Sequence, residues 1–384
     1  MVLRSVVGAV TVLSLLHAVV AQQQYTLTQR WQGTSFFDGW QYYGKYDNLT
    51  NGDVNFVNQS DSASLTYVND NGNAIIKVDD SSFVPYNEKR STVRITSDLQ
   101  FGIGSLWVMD AVHVPYGCSV WPAFWSHAPV WPAGGEIDTF EGVNLFTRNQ
   151  MALHTRSGCT VATSTTSQTG NLTYGNCDAN VNSNSGCTVV DPNTNSYGAA
   201  FAQAGGGLWA TELADTGISI WFFSRNDVPS DLDVATNSSA VPNPSSWGTP
   251  TAFYPSSSCD IQEFFQPQQL TFTITLCGDW AGNAVVYNQT CQGVCYVDNV
   301  IGNGSNYQQA YFEVQHVSVY TLPNATVVNS TDSGASELGS GSPSSSGQSG
   351  SSSPSPTSQA QASVGLSKLG ALVVAAISLW VTFV

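Results

Sequence analysis

The sequence predicts an all-β protein, an antiparallel β-sandwich, and three observations support this fold class. Hydrophobic residues recur at every second position in many short segments, while the spacing typical of an amphipathic helix is nearly absent. Clusters of Gly, Asn, Asp, Ser and Pro separate these segments, as turns separate strands. The middle of the chain, about 310 residues between two terminal signals, is acceptable for one sandwich domain with long loops.

The clearest predicted strand is LTFTITL, residues 270–276. Its leucine, phenylalanine and isoleucine side chains alternate with three threonines, a pattern typical of a strand with one buried and one polar face. Similar alternation predicts further strands at 91–97, 105–116, 217–225 and 311–322. The segments rich in Gly, Ser, Asn and Pro are predicted to be long loops: 157–210 and 226–262.

Eight cysteines lie in the middle of the chain, four of them in the two predicted loops: Cys118, Cys159, Cys177, Cys187, Cys259, Cys277, Cys291 and Cys295. An even number of cysteines in a secreted chain predicts disulfides, which would staple these loops. The sequence leaves open which of 105 pairings occurs. A zinc site is disfavoured because no paired C-x-x-C motif is present.

The N-terminal segment, residues 1–21, is predicted to be a secretory signal peptide. Arg4 precedes an apolar run, and the small residues Val19 and Ala21 precede the expected cleavage point. A permanent N-terminal membrane anchor is less favoured because the apolar run is short. We therefore expect the folded domain, residues 22–325, to be extracellular.

The C-terminal segments predict a stalk and a lipid anchor. Residues 326–363, rich in Ser, Gly and Pro, are expected to form a flexible stalk. Residues 364–384 end in an apolar tail and match the pattern of a glycosylphosphatidylinositol signal, with attachment expected within 353–362. The alternative is a single-pass tail helix, although about 16 apolar residues are marginal for spanning a bilayer.

The charge and the aromatic content indicate the class of partner. The net charge is −16, with only 11 Lys and Arg, so a nucleic-acid partner is excluded. A neutral polymer is favoured instead, since 11 Trp, 15 Tyr and 17 Phe provide stacking surfaces. We expect a monomer that meets the membrane only through its lipid anchor. Glycosylation sequons fit an extracellular glycoprotein: Asn48, Asn58, Asn171, Asn237, Asn288, Asn303, Asn324 and Asn329.

Three acids lie within six residues in GGEIDTFEGVN, although only 10% of the chain is charged. On a regular strand Glu136 and Asp138 share a face, while Glu141 points to the other. A β-bulge at Thr139 and Phe140 would shift the alternation by one residue and bring all three acids together. A solvated charged edge is the alternative, but it explains poorly why the acids stand among large apolar residues.

Clustered carboxylates on one surface suggest a reaction. Two carboxyl groups about 5–5.5 Å apart carry out retaining glycoside hydrolysis, one as nucleophile and the other as general acid and base. A third acid between them can share a proton with the nucleophile. Like charges held this close keep one group protonated near neutral pH.

The motif GGEIDTFEGVN matches the E-[ILV]-D-x-x-E signature of glycoside hydrolase family 16, in its laminarinase-like branch. The preceding GCSVWPAFWSHAPVWPAGGEID is similar to fungal secreted β-1,3(4)-glucanases of that family, and the resemblance covers roughly residues 24–322. It implies a curved antiparallel sandwich, a concanavalin A-like jelly roll with the sugar cleft on its concave face. It further implies Glu136 as nucleophile, Glu141 as general acid/base and Asp138 as the assisting acid.

The motif length separates branches within this family. Transglycosylating wall enzymes and bacterial lichenases carry a shorter E-x-D-x-E form, whereas here two residues separate Asp138 from Glu141. This favours an endo-β-glucanase that hydrolyses β-1,3 or mixed β-1,3/1,4 linkages. A glucan transglycosylase remains the first alternative. A non-catalytic β-glucan-binding protein is the second, although such proteins typically lack one or both glutamates.

Six further residues are predicted to contact the substrate: Trp121, Trp125, Trp131, His154, Trp280 and Arg94. Tryptophans stack on sugars but equally fill cores, and the resemblance favours the cleft for Trp121 and Trp125. A lone strand histidine is more often structural, so the role of His154 depends on the resemblance. No cofactor and no metal ion are expected.

Overall fold

Two large antiparallel sheets form a sandwich in the computed structural model, which describes residues 24–162, 167–234, 239 and 241–330. The predicted signal peptide and anchor tail, and the stalk from residue 331 onward, lie outside these residues. Within the described part, no helix is long and apolar enough to cross a membrane.

The strands and helices are short, as the frequent turn residues predict. In chain order the strands are β1 Thr26–Gln32, β2 Trp40–Tyr42, β3 Val54–Phe56, β4 Thr66–Val68, β5 Ala74–Lys77, β6 Arg90–Thr92, β7 Arg94–Phe101, β8 Ser105–His113, β9 Val120–His127, β10 Glu136–Glu141, β11 Gln150–His154, β12 Asn171–Tyr174, β13 Cys187–Val190, β14 Gly207–Ala214, β15 Gly217–Ser224, β16 Ala252–Pro255, β17 Gln268–Leu276, β18 Tyr311–Thr321 and β19 Val327–Asn329. The α-helices are α1 Gly198–Gln203, α2 Ile261–Phe264, α3 Gly278–Ala281 and α4 Ala284–Tyr287. Single 3₁₀ turns occur at Gly33–Ser35, Gln59–Asp61, Asn182–Asn184, Arg225–Asp227, Pro244–Ser246 and Gly304–Tyr307, and a π-helical turn at Tyr296–Val300.

Strand order places β10 near the middle of one sheet. The eight-stranded sheet runs β16-β15-β14-β8-β18-β5-β4, with β1 also paired to β18. The nine-stranded sheet runs β12-β13-β11-β10-β9-β17-β7-β19, with β2 also paired to β7. A separate parallel pair joins β3 and β6. Because β10 has partners on both sides, its backbone is held along its length.

The core lies between the two sheets and follows the predicted alternation. In β17 the four large apolar residues are fully buried, and the ring of Phe272 lies 5.2 Å from that of Phe312 on β18. Burial of one such side chain contributes about 1.5–3 kcal/mol. The face of the nine-stranded sheet that points away from this core, called here the site face, carries the alternating threonines.

The predicted strands are present, with two differences. The segment 91–97 is divided at Val93 between β6 and β7. The segments predicted to be loops contain short strands as well, among them β12, β13 and β16. Turn-forming residues dominate those segments, so four-residue strands produce little periodicity. Strand β19 begins just after residue 325, where the folded domain was expected to end.

Four disulfides use all eight cysteines and staple the long loops: Cys118–Cys291, Cys159–Cys259, Cys177–Cys187 and Cys277–Cys295. One of them, Cys159–Cys259, joins the two segments predicted to be loops. Two others fasten the connection between β17 and β18. The stapled loops therefore match the prediction, and the structure supplies the pairing that the sequence left open.

The outer faces of the two sheets differ. A second apolar cluster covers part of the eight-stranded sheet: Tyr25, Leu106, Val108, Leu208, Ala210, Trp221, Leu232, Trp247 and Tyr320. On the site face of the nine-stranded sheet most of the described side chains near β10 are polar or aromatic, including the three acids of β10.

Candidate active site

Strand β10 contains the predicted bulge. Its register against β9 shifts between Asp138 and Phe140, and its register against β11 shifts between Asp138 and Glu141. The strand therefore holds one extra residue, which changes the side-chain alternation at this point.

Contacts across the core show which residues the bulge turns inward. The hydroxyl groups of Thr139 and Thr211 lie 2.6 Å apart, and the ring of Phe140 lies 4.9 Å from that of Trp209. Both partners belong to β14 in the facing sheet. Two consecutive residues, Thr139 and Phe140, thus point into the core. Glu141 consequently faces the same way as Glu136 and Asp138, onto the site face.

Steric contacts explain the glycine at position 135, directly before Glu136. Gly135 has a φ of +79°, and a β-carbon there would lie 2.4 Å from a ring atom of Phe265. Another residue would need a strained backbone and would displace the packed phenylalanine. Glycine at position 135 therefore allows the backbone turn that leads into β10 at Glu136.

Glu136 is partly buried and receives a hydrogen bond from the indole Nε1 of Trp131, which is itself 46% exposed. Burial raises the pKa of Glu136; the charge of His154 opposes this shift and the charge of Glu141 adds to it. Hydrogen bonds from Trp131 and Asp138 stabilise the ionised form. The net pKa shift of Glu136 is upward, and His154 and the two hydrogen bonds limit it.

Asp138 and His154 form a buried pair in which His154 Nε2 lies 3.3 Å from Asp138 Oδ2. Burial and the charge of Glu136 raise the pKa of Asp138 to about 7, even though His154 opposes the shift. Burial alone would lower the pKa of His154, but the charges of Glu136 and Asp138 outweigh it and raise that pKa to about 10. The imidazole is therefore protonated at neutral pH. Its Nδ1 lies 2.9 Å from Asn184 Oδ1, which orients the ring.

The pKa of Glu141 is also raised. Burial and the charge of Asp138 raise it to about 8, while a 2.7 Å hydrogen bond from Trp121 Nε1 partly opposes the shift. At neutral pH this carboxyl group carries a proton. One strand thus carries a carboxylate that accepts hydrogen bonds, Glu136, and a carboxyl group that holds a proton, Glu141, and acid–base catalysis uses groups in these two states.

The remaining predicted contact residues lie on the site face or beside it. Trp125 donates a 3.0 Å hydrogen bond to Thr273 on β17, and the Arg94 guanidinium lies 4.9 Å from its ring. Trp280, on helix α3, contacts Trp121 edge-on at 5.6 Å. All nine predicted site residues are therefore grouped around β10, but their roles toward a sugar stay predictions.

Sequence reasoning missed Asn149, which is fully buried at the bulge. Its Oδ1 accepts a 2.8 Å hydrogen bond from the Glu141 N–H, and its Nδ2 donates a 2.9 Å bond to the Thr139 carbonyl. A bulge leaves backbone groups without ladder partners, and this amide satisfies two of them. No sequence signal marks it, because asparagine is common in turns.

Metal binding is the other chemistry that such a cluster suggests. Ligand atoms of Glu136, Asp138 and His154 lie within 4.8 Å of one another. A histidine binds a metal only after losing its proton, and the raised pKa of His154 opposes this loss. The same three residues form the ion pair of His154 with Asp138 beside Glu136.

A protein-family model described as "XgeA-like, catalytic GH16 domain" matches residues 40–320 of the chain, where GH16 denotes glycoside hydrolase family 16. A probable endo-1,3(4)-β-glucanase of Aspergillus clavatus is 37% identical over 88% of this chain and 54% of its own length. The chain therefore spans about half the length of that relative.

Two solved structures are similar over the described part. Laminarinase 16A of Phanerochaete chrysosporium, solved with 6-O-glucosyl-laminaritriose in donor and acceptor sites, is 38% identical with a TM-score of 0.73. It is matched over 78% of this chain and 100% of its own. An elongating family 16 β-1,3-glucosyltransferase is 33% identical with a TM-score of 0.70, matched over 77% of this chain and 100% of its own.

Proposed function

The chain belongs to glycoside hydrolase family 16, and we propose that it is a retaining endo-β-glucanase that hydrolyses β-1,3 or mixed β-1,3/1,4 linkages. The observation that carries this proposal is the grouping of Glu136, Asp138 and Glu141 on one face by the bulge in β10. Their different environments support different roles. The names of the glucanase relative and of laminarinase 16A support a β-glucan as the substrate.

The first half of the reaction breaks the glucan chain. The Glu136 carboxylate attacks the anomeric carbon, and the bond from that carbon to the glycosidic oxygen breaks. Glu141, protonated because its pKa is about 8, gives its proton to the departing oxygen. One glucan fragment leaves, and the other is bound to Glu136 as an ester.

The second half restores the enzyme. Glu141, now a carboxylate, removes a proton from water, and the water oxygen attacks the anomeric carbon while the ester bond to Glu136 breaks. Two displacements at the same carbon retain its configuration. Asp138 donates a hydrogen bond to Glu136, and the charged His154 balances part of the negative charge of the group.

The test is a reducing-sugar assay on laminarin, lichenan and carboxymethyl cellulose, with chromatography of the products. We expect hydrolysis of laminarin or lichenan that is lost in both Glu136→Gln and Glu141→Gln, while laminarin binding persists. Activity on the cellulose derivative alone would contradict the substrate assignment. If the wild type bound laminarin without hydrolysing it, the protein would be a binding module.

The second candidate function is glucan transglycosylation, because one of the similar structures is an elongating glucosyltransferase. The same residues would act, but a sugar hydroxyl would replace water in the second step. Chromatography separates the two: oligosaccharides longer than the donor, formed at low donor concentration, would favour the transferase. Products shorter than the donor throughout would favour the hydrolase.

We further propose that the enzyme acts as a monomer at the cell surface, held by a glycosylphosphatidylinositol anchor after removal of residues 1–21. The segments 326–363 and 364–384 support this proposal by composition, and the four disulfides suit an oxidising compartment. A phosphatidylinositol-specific phospholipase C should release the protein from intact cells. Retention after this treatment would argue for a membrane-spanning tail.

A further inference from the structure

One edge of the nine-stranded sheet carries a sequon on the site face. Glu141 is opposite Gln150, Gln150 is opposite Val190, and Val190 is opposite Asn171 on the edge strand β12. Directly opposed residues of antiparallel strands share a face. Three strand spacings separate Glu141 from Asn171, which corresponds to about 14 Å.

The neighbouring side chains support this orientation. Met151 and Val189 are buried in the core, and Leu172 packs against it. These three residues are the sequence neighbours of Gln150, Val190 and Asn171, and adjacent strand residues point to opposite faces. The side chains of Gln150, Val190 and Asn171 therefore point to the site face. Asn171 is exposed and begins the sequon Asn171-Leu172-Thr173.

We propose that an N-linked glycan on Asn171 occupies this edge of the site face and limits the length of glucan that binds there. The Asn171 amide nitrogen bonds to the anomeric carbon of a lipid-linked oligosaccharide; an isoprenoid diphosphate leaves and the amide loses a proton. The inference rests on the proposed glucanase function and on the predicted secretion. A hydrated, branched glycan at this position obstructs a chain that runs past β12, but not one that ends before it.

The experiment uses the full chain secreted from a glycosylating yeast. Mass analysis of glycopeptides reports the occupancy of Asn171, and kcat/KM is measured on laminarin and on laminaritetraose. The arms are wild type, Asn171→Gln, and wild type treated with an endoglycosidase that leaves one N-acetylglucosamine. The matched control is Asn324→Gln, which removes an exposed sequon in the turn between β18 and β19.

We expect Asn171 to be glycosylated, and removal of its glycan to raise the ratio of polymer to tetramer kcat/KM about threefold or more. The Asn324→Gln protein should keep the wild-type ratio. An unmodified Asn171, or an equal ratio in all arms, would overturn the inference. Absence of wild-type activity on every β-glucan would defeat the proposed function instead, because the glycopeptide result is obtained independently of activity.

Independently, the geometry points to Asn149 as a positioning residue for Glu141. All of its polar groups are used: the side chain binds the Glu141 N–H and the Thr139 carbonyl, its N–H donates to Ser196 Oγ at 2.9 Å, and its carbonyl accepts from the Asp191 N–H. Ser196 in turn donates to the Asn193 carbonyl. These hydrogen bonds fix the bulge to the loop that follows β13. They therefore also fix the direction of the Glu141 side chain.

The test replaces Asn149 by alanine and by aspartate. A misplacement of a catalytic group by about 1 Å costs about 10²-fold in rate, so Asn149→Ala should lower kcat about that much with little change in KM. A protonated aspartic acid retains one donor and one acceptor, whereas its ionised form cannot donate to Thr139. The activity of Asn149→Asp relative to wild type should therefore recover as the pH falls.

The matched control is Asn144→Ala. Asn144 is also fully buried and makes the same kind of pair, accepting from the Ser119 N–H at 2.8 Å and donating to the Ala281 carbonyl at 3.1 Å. We expect a similar loss of thermal stability with a smaller loss of kcat. A kcat loss that follows stability equally in both variants would overturn the inference, as would a pH-independent ratio for Asn149→Asp.

Discussion

Two buried histidines lie beside aspartates in this protein, and their pKa values shift in opposite directions. His154 lies 3.3 Å from Asp138 on the nine-stranded sheet, and its pKa rises to about 10. His316 lies 3.9 Å from Asp110 on the eight-stranded sheet, and burial lowers its pKa to about 4 although Asp110 opposes the shift.

The difference comes from charge compensation. Arg225 binds both carboxylate oxygens of Asp110, at 2.9 and 2.5 Å, and the charge of Arg30 further disfavours a protonated His316. No arginine or lysine pairs with the acids of β10 within the part of the chain that the structure describes. Uncompensated negative charge, more than proximity to an aspartate, therefore distinguishes the candidate active site from a structural pair.

The largest expected effect follows from removing the charge of Glu136, which lies near His154. Glu136→Gln should lower kcat at least about 10⁴-fold, because the proposed nucleophile is lost. It should also lower the pKa of His154 from about 10 toward its ordinary value, because Glu136 is the strongest of the charges that raise it. Steady-state kinetics and NMR titration of the imidazole measure the two effects. An unchanged His154 titration would contradict the charge explanation.

The reverse change is Arg225→Met, which leaves Asp110 uncompensated. Loss of this partly exposed bidentate pair should lower the free energy of unfolding by about 2–3 kcal/mol. The pKa of His316 should rise, since Asp110 then attracts its proton. Denaturant unfolding and NMR titration test this, and a His316 pKa that stays near 4 would show that burial alone controls it.

Stability should depend on pH through the active-site acids. The pKa values of Asp138 and Glu141 are raised to about 7 and 8, so the folded state binds more protons than the unfolded state between about pH 4 and 8. The raised pKa of His154 has the same sign, from about pH 6.5 to 10. The buried His127 and His316, whose pKa values are lowered to about 4, act in the opposite sense below about pH 6.5. The free energy of unfolding should therefore fall as the pH rises from about 7 to 9. In Glu141→Gln the decline between about pH 7 and 8 should be shallower; a curve parallel to wild type would refute this account.

The smallest effect is expected at Ser318, whose hydroxyl lies 3.0 Å from His316 Nδ1. Ser318→Ala removes this bond and the 2.9 Å hydrogen bond that Arg30 Nε donates to the same hydroxyl, and it should cost about 1–2 kcal/mol of stability. Because the pair is structural, kcat on laminarin should equal that of wild type. A clear loss of kcat would mean that the two histidine environments are coupled.

Much of this architecture could be predicted from the sequence. Period-two alternation identified β17, and the spacing of Glu136, Asp138 and Glu141 required the bulge that the structure contains. Local patterns cannot reveal partners that are distant in the chain. Arg225 meets Asp110 across 115 residues, and the loop that carries Asn184 reaches His154 only after the sheet has formed.

The bulge also separates the residues that pack the core from the acids of the site face. Its two inward residues, Thr139 and Phe140, affect the core, whereas the acids on either side affect the reaction. Deletion of one inward residue would return β10 to a regular strand in which all three acids again share a face. The extra residue therefore changes the volume that β10 presents to the facing sheet, while the three acids share one face with or without it.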